Sequence, residues 1–377
     1  MAGYIRRRSP GSWSVVVDMG ADPGTGKRRQ ISRTVKGTKR QAERLVTELL
    51  HQRDSGVDIP SGKATVAAFL EYWLANYATP NVAPATLQQY EWAIRVHLSP
   101  AFGSIPLMKL RPGHVQALYG ALTDDGGLSA QSVLHVHRVL KSALSQGVRW
   151  QMLGTNAADG ATPPRPERYE APVLEPADVR QLLDAAEEEG YHALIHTAIM
   201  TGLRRGELQG LRWTDISQDD AMLHVRQAAQ WLPNKGWTFR QPKTPKSRRS
   251  VALGRATLAV LRHHRLSQAE ARLAVGVYED HGLVFASPLG TPVDPSYLRR
   301  VWTRIVQKAE LPDLKFHDCR HVHATLMLQS GINPKIVSER LGHASVAITL
   351  DVYSSVLPTL QTGAADAVEQ LVAAGDR

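Results

Sequence analysis

At 377 residues, with 45 Lys and Arg against 35 Asp and Glu, the chain has a formal net charge of +10. That length is enough for two to three domains and rules out a small disulfide-stapled scaffold. The single cysteine, Cys319, excludes an internal disulfide and fits a reducing compartment.

No secretory signal heads the sequence and no run approaches about 18 apolar residues, so no membrane partner is expected and the setting is cytoplasmic, beside the bacterial nucleoid. The positive charge asks for a polyanion. Residues 1–60 carry 12 basic and 6 acidic side chains, residues 61–165 carry 8 and 5, and residues 166–377 carry 25 and 24. Within the nearly neutral C-terminal half, the stretch from Lys235 to Arg255 holds seven basic residues and no acidic one. Arginine outnumbers lysine 33 to 12, a bias of GC-rich bacterial genomes.

Residues 4–8, 12–19 and 28–35 read as three short strands, because Trp13, Val15, Val17 and Met19 alternate at period two. A helix follows, opened by a Thr38-x-x-Gln41 capping box with Ala42, Leu45 and Leu49 on one face. This predicts an arm-type DNA-binding domain over 1–60, a three-stranded sheet plus helix. Its candidate DNA contacts are Arg6, Arg7, Arg8, Lys27, Arg28 and Arg29. From 63 to 160 the apolar spacing becomes three and four, with Pro84 and Pro112 near helix starts, which predicts a four-helix domain. Residues 161–172, rich in proline, read as a linker. Residues 173–377 read as mixed α+β: helices from Pro176 and from Tyr191, a strand over 221–229, a hairpin from Trp237 to Leu253, then mostly helices. The class is multidomain, mainly α with small β-sheets.

The stretch HDCRHVHAT, residues 317–325, raises the question of a metal site. The two-histidine zinc helix places a glutamate after its first histidine, and here Asp318 stands there. At ~100° per residue, His317, Arg320 and His321 share about one quadrant while Cys319 points away from His317. Cys319 and His317 cannot readily share an ion, and a cationic arginine on the histidine face opposes one. No metal is expected, with His321 and His323 structural and Cys319 a small buried apolar residue.

Four motifs, TGLRRGEL (201–208), PKTPKSRR (242–249) at the expected hairpin tip, HDCRHVHAT and LGHASVAITLDVYS (341–354), resemble in this order the tyrosine recombinase, or phage integrase, family. The likeness spans the whole chain and is similar to integrases of actinobacterial phages or integrative elements. It implies a helical core-binding domain, a catalytic domain, and a front domain like those of integrases that use two kinds of DNA site. It also implies the site residues Arg204, Lys243, His317, Arg320, His343 and Tyr353. Where the family commonly has leucine and threonine, this chain has Cys319 and Val322.

Elementary chemistry agrees with these roles. A phosphodiester repels nucleophiles, and its transition state adds charge to the non-bridging oxygens. Two guanidiniums answer that charge with forked hydrogen bonds, each worth on the order of 3 kcal/mol in the transition state. A phenol with a pKa near ~10 needs a proton acceptor or a cationic site to attack. Lys243, ahead of Lys246, can protonate the leaving 5′-oxygen. Lys246 and Arg248 are further candidate DNA contacts, while Glu207 and Asp215 hold the arginines and the helix in place. No cofactor, metal or nucleotide is expected, and no GxxxxGK[ST] loop occurs. Expected partners are double-stranded core and arm attachment sites, three further copies in a tetramer on DNA, a host bending protein and an excision factor. The rivals are a resolvase, a type IB topoisomerase-like enzyme and a non-catalytic DNA-binding regulator.

Overall fold

The computed structural model describes residues 3–21, 28–54, 64–167, 169, 171–232, 235–241 and 248–353. The chain divides into two compact units, residues 1–168 and 169–377.

In the first unit, β1 (Gly3–Ser9), β2 (Ser12–Ala21) and β3 (Arg28–Lys36) form an antiparallel sheet in that order. Alternation sends Val15 and Val17 into a small core with Ala42 of α1 (Lys39–Asp54), closed by Ile5, Trp13, Ile31, Val35 and Leu45. The Thr38 N–H donates to Gln41 Oε1 at 2.8 Å, as the capping box predicts. Register aligns Arg6 with Ser14 and Ser14 with Thr34, on the face away from α1. Arg7, paired with Trp13, instead stacks its guanidinium 5.9 Å from that indole on the helix side. Arg28 and Arg29 begin β3, and Lys27 lies outside the described residues.

The helical part of this unit has the four rods the periodicity predicts. The first is α2 (Val66–Trp73) with α3 (Thr79–Asn81), and the second is α4 (Pro84–Trp92) with α5 (Ser99–Phe102). The third and fourth are α6 (Pro112–Asp124) and α7 (Ala130–Arg149). Within the first two rods the α-helical pieces are joined by π-turns, Leu74–Ala78 and Ala93–Leu98. Each π-turn ends just before a residue followed by proline, Pro80 or Pro100. A proline cannot donate to the carbonyl four residues back and its ring crowds that carbonyl, so the helix widens there. The Thr79 N–H bonds to the Leu74 carbonyl and that of Ser99 to the Ile94 carbonyl, five residues back in each case. Trp73, Leu70, Leu98 and Leu140 are fully buried between the rods.

The second unit opens with α8 (Pro176–Glu188), α9 (His192–Thr201) and α10 (Arg205–Gln209). Five strands follow: β4 (Ile216–Ser217), β5 (Met222–Val225), β6 (Ala228–Leu232), β7 (Gly236–Arg240) and β8 (Arg249–Ala252). The remaining elements are α11 (Arg255–Leu273), α12 (Pro295–Lys308), α13 (Asp318–Gln329), α14 (Pro334–Leu341) and α15 (Val346–Tyr353). Ile195 and Ile199 of α9, Leu208 of α10, Val301 and Ile305 of α12 and Cys319 and Val322 of α13 share one core.

Two strand expectations are corrected. Residues 221–229 form not one strand but the whole of β5 and the start of β6, divided at Arg226 and Gln227. Gln227 turns its amide to the Gly210 carbonyl at 2.8 Å rather than continuing the ladder. The hairpin from Trp237 to Leu253 does not form, because β7 pairs with β6 and β8 pairs with β5 in another sheet. Trp231 lies opposite Trp237 with ring centroids 5.5 Å apart, which fixes the shorter hairpin. Pro242 and Pro245 bring no N–H to a β7–β8 ladder. Residues 242–247, with Lys243 and Lys246, expected at the hairpin tip, lie outside the described residues.

Candidate active site

The C-terminal end of α14 organises the site. A helix leaves its last carbonyls unpaired and gathers partial negative charge there. Three successive carbonyls are each taken by a different arginine. Arg249 Nε donates to the Arg340 carbonyl at 2.7 Å, Arg320 Nη2 to that of Leu341 at 2.6 Å, and Arg204 Nη2 to that of Gly342 at 3.1 Å. Gly342, at φ 67°, ends the helix in the left-handed region, and His343 follows it.

A second helix end meets the same group. Arg320 Nη1 donates at 2.8 Å to the carbonyl of Gly202, the left-handed cap of α9. Gly202 also admits its neighbours: a Cβ there would stand 2.4 Å from Leu341 Cδ2 and 2.8 Å from His323 Cδ2. Burial, then the charges of Arg204 and Arg249, lower the Arg320 pKa to about 9. Glu207 is the buried carboxylate among these cations. It accepts from Arg204 Nη1 and Arg249 Nη2, each at 2.9 Å, and from the Arg204 N–H at 2.9 Å. Burial pushes its carboxyl up, but the bonds and charge of Arg249, with those of Arg204, outweigh this and hold it below the usual range. Asp215, also buried, binds Arg212 Nε at 3.1 Å and caps the turn after α10, so both acids have the structural contacts expected of them.

His317 is the N-cap of α13 and keeps an exposed side. Surrounding protein, then His321, Arg320 and Arg204, push its pKa down. Its ring meets His321 edge to face, centroids 5.9 Å apart. His343 Nδ1 lies 2.8 Å from the hydroxyl of Thr349, and burial followed by Arg320 and Arg204 lowers its pKa to about 4. Both imidazoles are neutral at neutral pH. Thr349 is fully buried on α15, one turn before Tyr353, the last residue of that helix. Cys319 is buried in the core, its thiol pKa pushed up by burial. His323 is buried and accepts from Arg340 Nε at 3.1 Å.

The structure thus brings together Arg204, His317, Arg320 and His343. Arg248, near the end of the 242–247 segment, donates to Gln241. Sequence reasoning missed Arg249 and Arg340, whose partners lie far along the chain, and Thr349, six residues from its partner His343. The basic run before β8 was a signal for Arg249, but nothing in it separated a buried arginine from exposed neighbours.

The phage integrase family model matches residues 172–359, and the N-terminal SAM-like domain of phage integrases matches residues 65–122. An integrase of Streptomyces ambofaciens is 30% identical over 368 residues, covering 93% of this chain and 92% of that protein. The chain belongs to the phage integrase family. As a tyrosine recombinase of the integrase type, it is also 29% identical over 354 residues to a XerC-like tyrosine recombinase of Caldanaerobacter subterraneus subsp. tengcongensis, covering 89% of this chain and 90% of the relative. Two solved structures share the fold. One is a Tn1549 transposon integrase in complex with circular intermediate DNA (TM-score 0.68, 19% identity, 79% of this chain and 99% of that one). The other is lambda integrase as a tetramer bound to a Holliday junction (TM-score 0.58, 20% identity, 93% and 94%). Among the described residues of this integrase, no helix is long and apolar enough to cross a membrane.

The lowered pKa values of His323 and His343 predict that the second unit loses stability in acid. His323 and His343 have folded pKa values of about 4 against 6.5 when free. As pH falls below 6.5 the unfolded chain takes up protons that the native chain refuses until about pH 4, so stability present above 6.5 is lost across that window. For His323 alone the loss is on the order of 3 kcal/mol by pH 4. Urea unfolding across this range should show the fall, and His323→Gln should flatten it. An unchanged slope in that variant would remove His323 from the account.

Proposed function

We propose that this chain is a site-specific DNA recombinase that cleaves and rejoins strands through a 3′-phosphotyrosine intermediate, integrating or excising a mobile element. The observation that carries this reading is the convergence of Arg204, Arg249 and Arg320 on the end of α14, with Glu207 as their carboxylate partner. The excess positive charge is fixed before any substrate arrives, which suits a site that must receive a scissile phosphate.

In this reading Arg204 and Arg320 hold the non-bridging oxygens. Tyr353 attacks phosphorus and forms the phosphotyrosine bond as the bond to the 5′-oxygen breaks. Neutral His317 accepts the phenolic proton, and Lys243 gives one to the leaving 5′-oxygen. When Thr349 donates to His343 Nδ1, the ring proton sits on Nε2, free to bind a non-bridging oxygen. The same bond ties His343 to the helix that carries Tyr353. Attack by the 5′-hydroxyl of a partner strand reverses these steps and regenerates the tyrosine. The arginines supply the charge a metal ion would otherwise bring, so the proposed reaction uses neither metal nor nucleotide.

The same proposal gives residues 63–160 core-site binding and residues 173–377 the chemistry, with 161–172 as linker, and gives residues 1–60 the arm site. The outward sheet face with Arg6, Ser14 and Thr34 is the surface that suits DNA. Lys246 and Arg248 would contact the core-site backbone. Four copies would act together, as in the tetramer of lambda integrase on a Holliday junction. A host bending protein and an excision factor would complete the assembly at the nucleoid.

Tyr353→Phe removes only the nucleophilic oxygen. On a nicked suicide substrate it should abolish covalent attachment while leaving site binding within about twofold. A persisting covalent complex would rule out Tyr353.

Removal of residues 1–61 should leave phosphotyrosine formation on an isolated core site and lose high-affinity binding to arm sequences, since linking two modules raises the effective concentration of the second. The intact chain should also show the steeper salt dependence on arm-containing DNA. Equal affinity and salt slope for the two proteins would make the front sheet a solvated surface.

A further inference from the structure

The second unit begins at Tyr169, and its first side chain reaches far along the sequence. The Tyr169 hydroxyl donates to Asp318 Oδ2 at 2.5 Å, and the Lys315 ammonium sits 3.2 Å from the centroid of the Tyr169 ring. Asp318 is buried, and the same Oδ2 accepts the Lys315 N–H at 2.7 Å. In return the Asp318 N–H donates to the Lys315 carbonyl at 2.8 Å. These reciprocal bonds close a ring around residues 315–318, and His317 lies inside it. Among the described residues the His317 imidazole has no hydrogen-bond partner. Its direction is therefore set by this turn and by the edge-to-face contact with His321.

We propose that Tyr169 is a positioning residue for His317: its hydroxyl and ring lock the Lys315–Asp318 turn, so the segment where the catalytic unit starts controls the aim of the proton acceptor. This rests on the reading of His317 given above. Tyr169 does not touch the reacting atoms. Burial and then the bond to Asp318 raise its phenol pKa, so it remains a donor throughout the working range. Sequence position hides the link, since 149 residues separate the two partners and Tyr169 stands in a proline-rich stretch.

Tyr169→Phe keeps the ring over which Lys315 sits and removes only the hydroxyl, so it should fold normally. Single-turnover phosphotyrosine formation on a nicked core-site substrate should slow by roughly tenfold, because small misplacements of a reacting group are costly. DNA affinity should stay within about twofold. The deciding comparison is made in a His317→Ala background, itself expected to be slow, where Tyr169→Phe should have no further effect. An unchanged rate in Tyr169→Phe, or an equal slowing with and without His317, would overturn the proposal while leaving the role of His317 intact. A His317→Ala protein that cleaves at the wild-type rate would instead sink the underlying assignment, and the positioning role with it.

Discussion

A guanidinium taken out of water must find acceptors for its N–H groups, and the end of a short helix must find donors for its carbonyls. In this integrase each need meets the other. Arg249, Arg320 and Arg204 cover the last carbonyls of α14, and the helix end supplies partial negative charge without adding a carboxylate that would cancel the cations. Glu207 takes up Arg249 and one side of Arg204. Arg320 has no carboxylate bond among the described residues and rests on backbone oxygens alone. Breaking the buried Arg249–Glu207 pair would strand a charge, which typically costs about 3–5 kcal/mol.

The consequence for function is preorganisation. Carbonyl oxygens hold Arg320 in place without neutralising it, so its charge remains available to an anion. The same helix end delivers His343, whose bond to Thr349 reaches the helix that ends in Tyr353. His317 arrives on a different element, as the N-cap of α13. Burial and then nearby positive charge favour the neutral form of both imidazoles, the form in which one can accept a proton and the other can bind oxygen through Nε2.

Much of this was legible in the sequence. Period-two alternation around Val15 and Val17 located the front sheet, the Thr38–Gln41 pair marked a helix start, and the spacing of His317 and Arg320 placed them together. What escaped were interactions between distant residues. Trp231 pairs with Trp237 rather than leaving that strand to β8, and no local rule decides between two antiparallel partners of similar composition. The π-turns before Thr79-Pro80 and Ser99-Pro100 follow from proline chemistry but leave the apolar spacing nearly intact, so periodicity passed over them. Nothing local marked Arg249 for burial, because its contact with a helix 91 residues away is invisible in a local pattern. Tyr169, in a proline-rich stretch far from Asp318 in sequence, escaped for the same reason.

In the proposed reaction the arginines act on the charge of the scissile phosphate rather than on the shape of the DNA. Replacing one non-bridging oxygen by methyl removes that charge and leaves the leaving 5′-oxygen in place. Arg320→Ala should cleave an ordinary phosphodiester slower by roughly two orders of magnitude and should recover most of that loss on the methylphosphonate substrate. Equal impairment on both substrates, with the variant folded and bound to its site, would contradict the account.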